Sequence, residues 1–301
     1  MFAGLSFALA VFALSQSETR ESVFDYDSLT PLQIQEHVVE NVDGVRVVDI
    51  SYASPYGGRV PAYLVVPPGK GPFAAVIFMH EGGADRTEFL SEAVTLAHQG
   101  VVSIMIDAPY RRPEPPPAPE DDNRGRAESD RDLYVNLVVD LRRAIDVLLT
   151  RPDVDSSRIG YVGHSLGAAW GGVLAGFERR IKAFVFMAGT PNPGRVSGDD
   201  PYSKLMQTVL GTDPNQLEHY DTVVGAIAAH HFVGNAPPGS IFFQAARFDR
   251  SVSKERADEY PAVAGPSHEV RWYPTGHRFL DEEAIKDRRE WLANKLEFQS
   301  K

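Results

Sequence analysis

The pentapeptide Gly-His-Ser-Leu-Gly at 163–167 is the strongest chemical signal in the chain. An apolar run, 159–162, precedes it and a run of small residues, 168–174, follows it, so the sequence predicts a strand, a tight turn and a helix. In that setting the turn strains the serine backbone and exposes its hydroxyl, which requires small flanking residues. We therefore predict that Ser165 is a catalytic nucleophile.

A serine hydroxyl needs an imidazole to accept its proton, and the imidazole needs a carboxylate to orient it. The predicted strand 241–246 opens into Asp249, and the short β-prone run 270–273 leads to His277. The order serine, acid, histidine fits a sheet whose later strands carry the acid and the base on the loops that follow them. Other acids and histidines in this half of the chain have a weaker strand context, and we assign them surface or core roles: Asp200, Asp213, Asp221, His230, His231 and His268.

A His-Glu-Gly-Gly turn directly follows the apolar run 73–79. A glycine-rich turn at this place can supply one amide of an oxyanion hole, and the residue after the nucleophile supplies the other. We assign the two amides to Gly82 and Leu166, although Glu81 and Gly83 remain alternatives to Gly82. The glycines also suit a tight strand-to-helix turn, and both roles are compatible.

Together, the His-Glu-Gly-Gly turn, the pentapeptide at 163–167, Asp249 and the Thr-Gly-His at 275–277 resemble the α/β-hydrolase superfamily, particularly its dienelactone hydrolase-like and acetyl xylan esterase-like branches. The resemblance extends from about 45 to 296. Dienelactone hydrolases carry a cysteine nucleophile, whereas this chain has no cysteine. The resemblance therefore implies a serine ester hydrolase.

The elements that must position these residues alternate between strand and helix, which predicts an α/β fold, the α/β-hydrolase fold, with a mostly parallel twisted sheet and helices on both faces. An N-terminal hairpin, 45–53 and 59–66, supplies an antiparallel edge. Asp85 and Glu88 form a predicted capping box for the first helix. The remaining predicted strands are 73–79, 101–106, 159–162, 181–188, 241–246 and 270–273, and the main helices are about 87–99, 130–150 and 284–296.

Two insertions interrupt this alternation. The first, 108–126, is rich in proline and is predicted to be an extended polar excursion from the sheet. It is either a solvated loop or a wall of the substrate pocket. The second, about 191–240, is predicted to be a small cap with short helices at 202–210 and 217–231, with cover for the sheet edge as the alternative. Three aromatic residues near the predicted chemistry are candidate pocket residues, with plain core positions as the alternative: Tyr110, Trp170 and Phe248.

The composition is that of an enzyme domain. With 301 residues, of which 43% are hydrophobic, the chain can bury one large core, and we predict a single catalytic domain over 18–301. A net charge of −11 without a basic run argues against nucleic acid or an anionic membrane as partner. The expected partner is a small-molecule ester. Neither a metal nor an organic cofactor is expected, and the oligomeric state stays open.

The first 17 residues predict a signal peptide. An apolar stretch at 2–14 precedes the polar residues 16–20 and is too short to span a membrane, but no Lys or Arg stands ahead of it. We expect export to the periplasm or beyond, with a cytoplasmic protein as the alternative. For the whole chain we predict hydrolysis of carboxylic esters through an acyl-enzyme. A serine peptidase on the same fold and a non-catalytic binding protein that retains the fold are the alternatives.

Overall fold

The computed structural model describes residues 20–113 and 123–299. Within these residues the chain forms one mixed sheet of nine strands with seven α-helices around it. The predicted signal peptide at 1–17 and residues 114–122 of the proline-rich excursion lie outside the described residues. In the parts described, we find no helix that combines the length and apolar character needed to cross a lipid bilayer.

The element bounds are as follows. The strands are β1 (Gln35–Val42), β2 (Val45–Ala53), β3 (Arg59–Val66), β4 (Phe73–Met79), β5 (Val101–Ile106), β6 (Val154–His164), β7 (Ile181–Met187), β8 (Ile241–Ala246) and β9 (Glu269–Tyr273). The helices are α1 (Leu90–Ala97), α2 (Asn123–Leu149), α3 (Leu166–Phe177), α4 (Pro201–Leu210), α5 (Pro214–Gly225), α6 (Lys254–Val263) and α7 (Glu282–Leu296). Short 3-10 helices occur at Arg20–Phe24, Pro109–Arg111, Ala229–His231 and Val233–Asn235.

The strand order is β1-β2-β3-β5-β4-β6-β7-β8-β9. The first three strands pair antiparallel, as do β3 and β5, whereas β4 to β9 run parallel. The predicted α/β-hydrolase architecture is thus confirmed. Because the carboxyl ends of parallel strands meet at one edge of a sheet, the segments that follow β4, β6, β8 and β9 lie together.

Both faces of the central sheet are covered, which explains why its strands are continuous apolar runs. In β4, Ala75 and Ile77 belong to a core shared with α2 and α3, whereas Val76 and Phe78 belong to a second core shared with α1 and α7. The nucleophile helix α3 is itself buried along nearly its whole length. The sheet therefore forms a rigid support beneath the residues at its carboxyl edge.

Some element predictions were wrong, and each miss has a local cause. Strand β1 forms the true antiparallel edge, and it was missed because all eight of its side chains are exposed and show no alternation. Helix α2 begins at Asn123, so the predicted excursion to Arg126 overlaps the first turn of a helix whose start is polar. Helix α6 was also missed, since it is polar and carries Pro261 inside it.

Within the segment 191–240, the first predicted helix is present as α4, whereas the end of the second predicted helix was wrong. Helix α5 stops at Gly225, and the chain continues in two short 3-10 helices instead of reaching His231 as one helix. The amide of His230 donates to the carbonyl of Pro191 at 3.0 Å, outside any helical pattern. This bond joins residue 230 to the start of the segment 191–240. The amide of His230 is therefore not available to a carbonyl four residues earlier, as a continuous helix would require.

One buried arginine binds the segment 191–240 to helix α6. Arg256 of α6 is 1% exposed, and its guanidinium donates to both carboxylate oxygens of Asp200, at 2.7 and 2.8 Å. It also donates to the carbonyls of Asn192 and Arg195 and to the hydroxyl of Ser203. Burial alone would raise the pKa of Asp200, but the hydrogen bond and charge of Arg256 outweigh it and lower the pKa to about 2.

We expect Arg256→Met to lower the free energy of unfolding by about 2 kcal/mol or more, because it removes the buried cation that is paired with the carboxylate of Asp200 and donates to two carbonyls. The measure is urea unfolding. The pKa of Asp200 is lowered from 3.8 to about 2, so its carboxylate takes up a proton as the pH falls through that interval. The difference in free energy of unfolding between wild type and variant should therefore shrink there. The matched control is Arg195→Met, whose ion pair with Glu259 is exposed, with an expected change within about 0.5 kcal/mol. Equal losses in both variants would contradict the anchoring role.

Candidate active site

Ser165 lies at the turn between β6 and α3 with φ of 53° and ψ of −110°, a strained conformation for a non-glycine residue. The flanking glycines allow it. A Cβ on Gly163 would lie 2.4 Å from the carbonyl oxygen of Gly167, and a Cβ on Gly167 would lie 2.3 Å from that of Met79. The predicted elbow geometry is therefore present, and both glycines are needed for the close approach of backbone segments.

The structure brings the three predicted side chains together. The Nε2 atom of His277 is 2.9 Å from Ser165 Oγ, and its Nδ1 atom is 2.8 Å from Asp249 Oδ2. The other carboxylate oxygen of Asp249 accepts from the amides of Ser251 and Val252 at 2.8 and 2.9 Å. With Asp249 accepting from Nδ1–H, the Nε2 atom is free to accept the serine proton.

The competing acids and histidines have other roles. Asp200 and Asp213 accept hydrogen bonds from the first amides of α4 and α5, and Asp221 accepts from the amides of Val196 and Ser197. The ring of His268 bonds the carbonyl of Gly265. The rings of His230 and His231 lie against each other, with centroids 3.8 Å apart and planes tilted by 41°. These contacts agree with the structural roles predicted for them.

The turn after β4 favours Gly82 as an oxyanion donor. The amide of Glu81 is already donated to Glu88 Oε2 at 2.8 Å. The carbonyl of Glu81 accepts from His80 Nδ1 at 2.6 Å, while His80 Nε2 accepts from the amide of Ala108. Because a trans peptide points its N–H away from its C=O, holding the carbonyl of Glu81 also directs the amide of Gly82. Burial lowers the pKa of His80, which keeps this ring neutral in that role.

The second predicted donor, Leu166, is the first residue of α3, so its amide has no carbonyl partner inside the helix. Its side chain borders the turn, since a Cβ on Gly82 would lie 3.0 Å from Leu166 Cδ1. The predicted pair of amides thus comes from two segments that touch. Gly83 stays an alternative to Gly82.

The capping-box prediction for Asp85 and Glu88 was wrong. Asp85 accepts from the amide and hydroxyl of Thr87, and α1 begins later, at Leu90. The carboxylate of Glu88 instead reaches the ring of His164, with Oε1 2.5 Å from Nδ1. The sequence analysis did not place Glu88 or His164 in the site. A Glu three residues after an Asp is a common helix start, which explains the assignment of Glu88, and the Gly-x-Ser-x-Gly motif leaves the residue before its serine unspecified, which explains the omission of His164.

A cluster of Glu81, His164 and His277 has its potential metal-binding atoms within 4.8 Å of one another. Both ring nitrogens of His164 are already engaged, Nδ1 with Glu88 and Nε2 with the carbonyl of His277 at 2.6 Å. His277 is likewise engaged, with Asp249 through Nδ1 and with Ser165 through Nε2, so this cluster does not offer the three or four free ligand groups of a typical protein metal site.

The three candidate pocket aromatics occupy different environments. Trp170 is fully buried and stacks on Tyr134 with ring centroids 4.4 Å apart, which places it in the core and away from substrate. Phe248, next to Asp249, is 67% exposed. The ring of Tyr110 lies edge-on to His80, and its buried hydroxyl has no hydrogen-bond partner among the described residues. Only Tyr110 and Phe248 remain as pocket candidates.

Comparison with known proteins assigns the family. The model of the acetyl xylan esterase family (AXE1) matches residues 22–191, more than half of the chain. The chain belongs to the acetyl xylan esterase family. This membership makes it a carboxylic ester hydrolase of the serine type, as the sequence predicted.

Solved structures agree with the fold. Acetyl xylan esterase 1 from Thermoanaerobacterium sp. JW/SL YS485 superimposes with a TM-score of 0.74 at 16% identity, over 91% of each chain. An acetyl xylan esterase from Paenibacillus sp. R4 gives 0.75 at 18% identity, over 92% of each chain. Among curated proteins, acyl-coenzyme A thioesterase 3 of Mus musculus is 29% identical over 133 residues, which are 44% of this chain and 27% of that protein. The chain thus matches about a quarter of the thioesterase's length.

The elbow geometry leads to a direct test. We expect Gly167→Ala to lower the free energy of unfolding by about 1–3 kcal/mol, because its Cβ would meet the fixed backbone of β4 at Met79. Urea unfolding with an unchanged m-value is the measurement. In the control Gly83→Ala the new Cβ faces only the flexible side chain of Glu81, at 3.4 Å, and stability should stay within about 0.5 kcal/mol of wild type. A stable Gly167→Ala protein would show that the two segments can separate.

Proposed function

We propose that this esterase removes acetyl and other short acyl groups from carbohydrate esters, with Ser165 as nucleophile, His277 as general base and Asp249 as the acid that orients the base. The observation that carries the assignment of roles is the unbroken hydrogen-bond chain from Ser165 through His277 to Asp249. Family membership and the likeness to two acetyl xylan esterases support the substrate class.

In the proposed reaction Ser165 Oγ attacks the ester carbonyl carbon while its proton passes to His277 Nε2. The amides of Gly82 and Leu166 stabilise the oxyanion. The bond to the alcohol then breaks, and the imidazolium returns the proton to the leaving oxygen. His277 next takes a proton from water, which attacks the acyl-serine, releases the acid and restores the hydroxyl of Ser165.

The charge around the site favours uncharged ester substrates. A carboxylate oxygen of Glu81 lies 3.6 Å from His277 Nε2, close to the reacting atoms. The whole chain carries a net charge of −11. Both would repel an anionic substrate such as an acyl-coenzyme A, whereas an acetylated neutral sugar escapes this penalty.

A substrate panel tests the proposal. We expect p-nitrophenyl acetate to be cleaved faster than the butyrate and octanoate, and acetylated xylo-oligosaccharides to release acetate faster than acetyl-coenzyme A. Faster cleavage of peptide amides than of esters would favour the peptidase alternative. Absence of both turnover and fluorophosphonate labelling would favour the binding protein.

We expect Ser165→Ala to reduce kcat by roughly 10³-fold or more, and Asp249→Asn by about 10⁴-fold, because the asparagine favours the wrong tautomer of His277. Steady-state kinetics with p-nitrophenyl acetate provide the measurement, and circular dichroism checks the fold. Ser157→Ala is the matched control, since Ser157 lies on β6, the strand that precedes Ser165, its side chain donates a hydrogen bond to the nearby Asp155, and it should keep wild-type activity. Retained activity in Ser165→Ala would identify another nucleophile.

We further propose that the enzyme acts outside the cytoplasm. The apolar segment at 2–14 supports this, because its length suits the core of a signal peptide. N-terminal sequencing of protein recovered from a periplasmic fraction and from the medium tests it. A chain that stays in the cytoplasm with its first residues intact would contradict export.

A further inference from the structure

His164, the residue before the nucleophile, lies in an environment that its motif does not require. Its ring is 1% exposed, with Nδ1 2.5 Å from Glu88 Oε1 and Nε2 2.6 Å from the carbonyl oxygen of His277. A carboxylate and a backbone carbonyl can only accept hydrogen bonds, so both ring nitrogens must carry a proton. The geometry therefore makes His164 an imidazolium, because a neutral ring would leave one nitrogen lone pair facing an acceptor oxygen.

The pair of His164 and Glu88 joins three segments of the site. The second carboxylate oxygen of Glu88 accepts the amide of Glu81 at 2.8 Å, in the turn that carries Gly82. The imidazolium donates to the backbone of His277 itself. A continuous chain of hydrogen bonds thus links the loop of the base, the nucleophile elbow and the oxyanion turn.

We propose that His164 and Glu88 are positioning residues that hold the loop of His277 and the oxyanion turn in register with Ser165, and that this hold depends on the positive charge of His164. The inference rests on the proposed function, because it takes Ser165 and His277 as the reacting groups. Neither proposed residue is assigned contact with the substrate. Their effect is therefore on geometry, where a displacement of about 1 Å can cost 10²-fold in rate.

The groups around the His164 ring decide the pH at which the hold is lost. Glu88 and Glu81 approach it from the segment between β4 and α1, and the ring of His277 lies with its centroid 5.3 Å away. Burial alone would lower the pKa of His164, but the hydrogen bond and charge of Glu88, the carbonyl of His277 and the charge of Glu81 outweigh it and raise the pKa. The cation that the geometry requires is therefore lost only as the pH rises through the raised value.

The kinetic test compares wild type, Glu88→Gln and His164→Gln with p-nitrophenyl acetate across about pH 5 to 10, after subtraction of spontaneous hydrolysis. We expect a fall of kcat at alkaline pH in wild type. In Glu88→Gln this fall should begin at lower pH, because the carboxylate that holds the proton is gone. In His164→Gln the alkaline fall should disappear, with kcat lowered about 10- to 100-fold and KM nearly unchanged.

A second readout does not depend on activity. Nitrogen-15 spectra of the histidine rings in the wild-type protein report the protonation state of each ring nitrogen, and the missing signal in His164→Gln assigns the residue. Both nitrogens of His164 should be protonated at neutral pH. A neutral tautomer there would overturn the proposed charge, and this measurement stands even where Glu88→Gln fails to fold.

Glu92→Gln is the matched control for loss of a buried ion pair. Glu92 lies on α1, is 7% exposed and binds Arg288 of α7. Its removal should lower stability in urea without moving the alkaline fall of kcat or changing KM. If Glu92→Gln moved the alkaline fall as Glu88→Gln does, the effect would be one of general stability and the positioning role would be wrong.

The outcomes separate the two proposals. Retained activity in Ser165→Ala would refute the proposed function, whatever the pH profiles. An inactive Ser165→Ala together with identical alkaline profiles in wild type, Glu88→Gln and His164→Gln would overturn the positioning role and leave the function intact.

Discussion

The strained backbone of Ser165 is the constraint around which the site is organised. A positive φ in a serine costs about 1–3 kcal/mol, and it persists only because its surroundings hold it. The amide of Ser165 donates to the carbonyl of Met187 at 2.8 Å, and the hydroxyl of Tyr161 donates to the carbonyl of Gly167 at 2.6 Å. The two glycines let the two ends of the turn approach each other and let α3 approach the end of β4. Hydrogen bonds with the central strands β6 and β7 thus stabilise the strained conformation that exposes the hydroxyl of Ser165.

The partners of Ser165 are also held by fixed hydrogen bonds. Two loop amides donate to one carboxylate oxygen of Asp249, and the other oxygen accepts from His277. The oxyanion turn is directed by the neutral ring of His80 on one side and by Glu88 on the other. Each reacting group is held through its backbone or through the atoms that do not react. Such fixed dipoles and donors need no rearrangement as charge develops in the reaction.

Sequence reasoning succeeded where a single physical rule governs the outcome. The central strands were found because burial on both faces requires apolar runs. Ser165 and Asp249 were singled out because each follows such a run, and His277 because it follows the short β-prone run of β9, which is mostly exposed. It failed where the signal is shared between structures. The exposed strand β1 has no apolar face to reveal it, and Glu88 fits a helix cap as well as it fits an ion pair with His164. The pairing of residues 76 positions apart in sequence depends on strand order, which local patterns do not encode.

The binding of the segment 191–240 by Arg256 has a consequence for protein engineering. Arg256 belongs to the helix that directly follows the loop of Asp249, and the amide of Val252 in that loop donates to the carboxylate of this acid. The segment 191–240, α6 and the loop of Asp249 are therefore connected through Arg256. A chimaera that exchanges the segment 191–240 must transplant α6 with it, or supply a new partner for the arginine, if Asp249 is to keep its alignment.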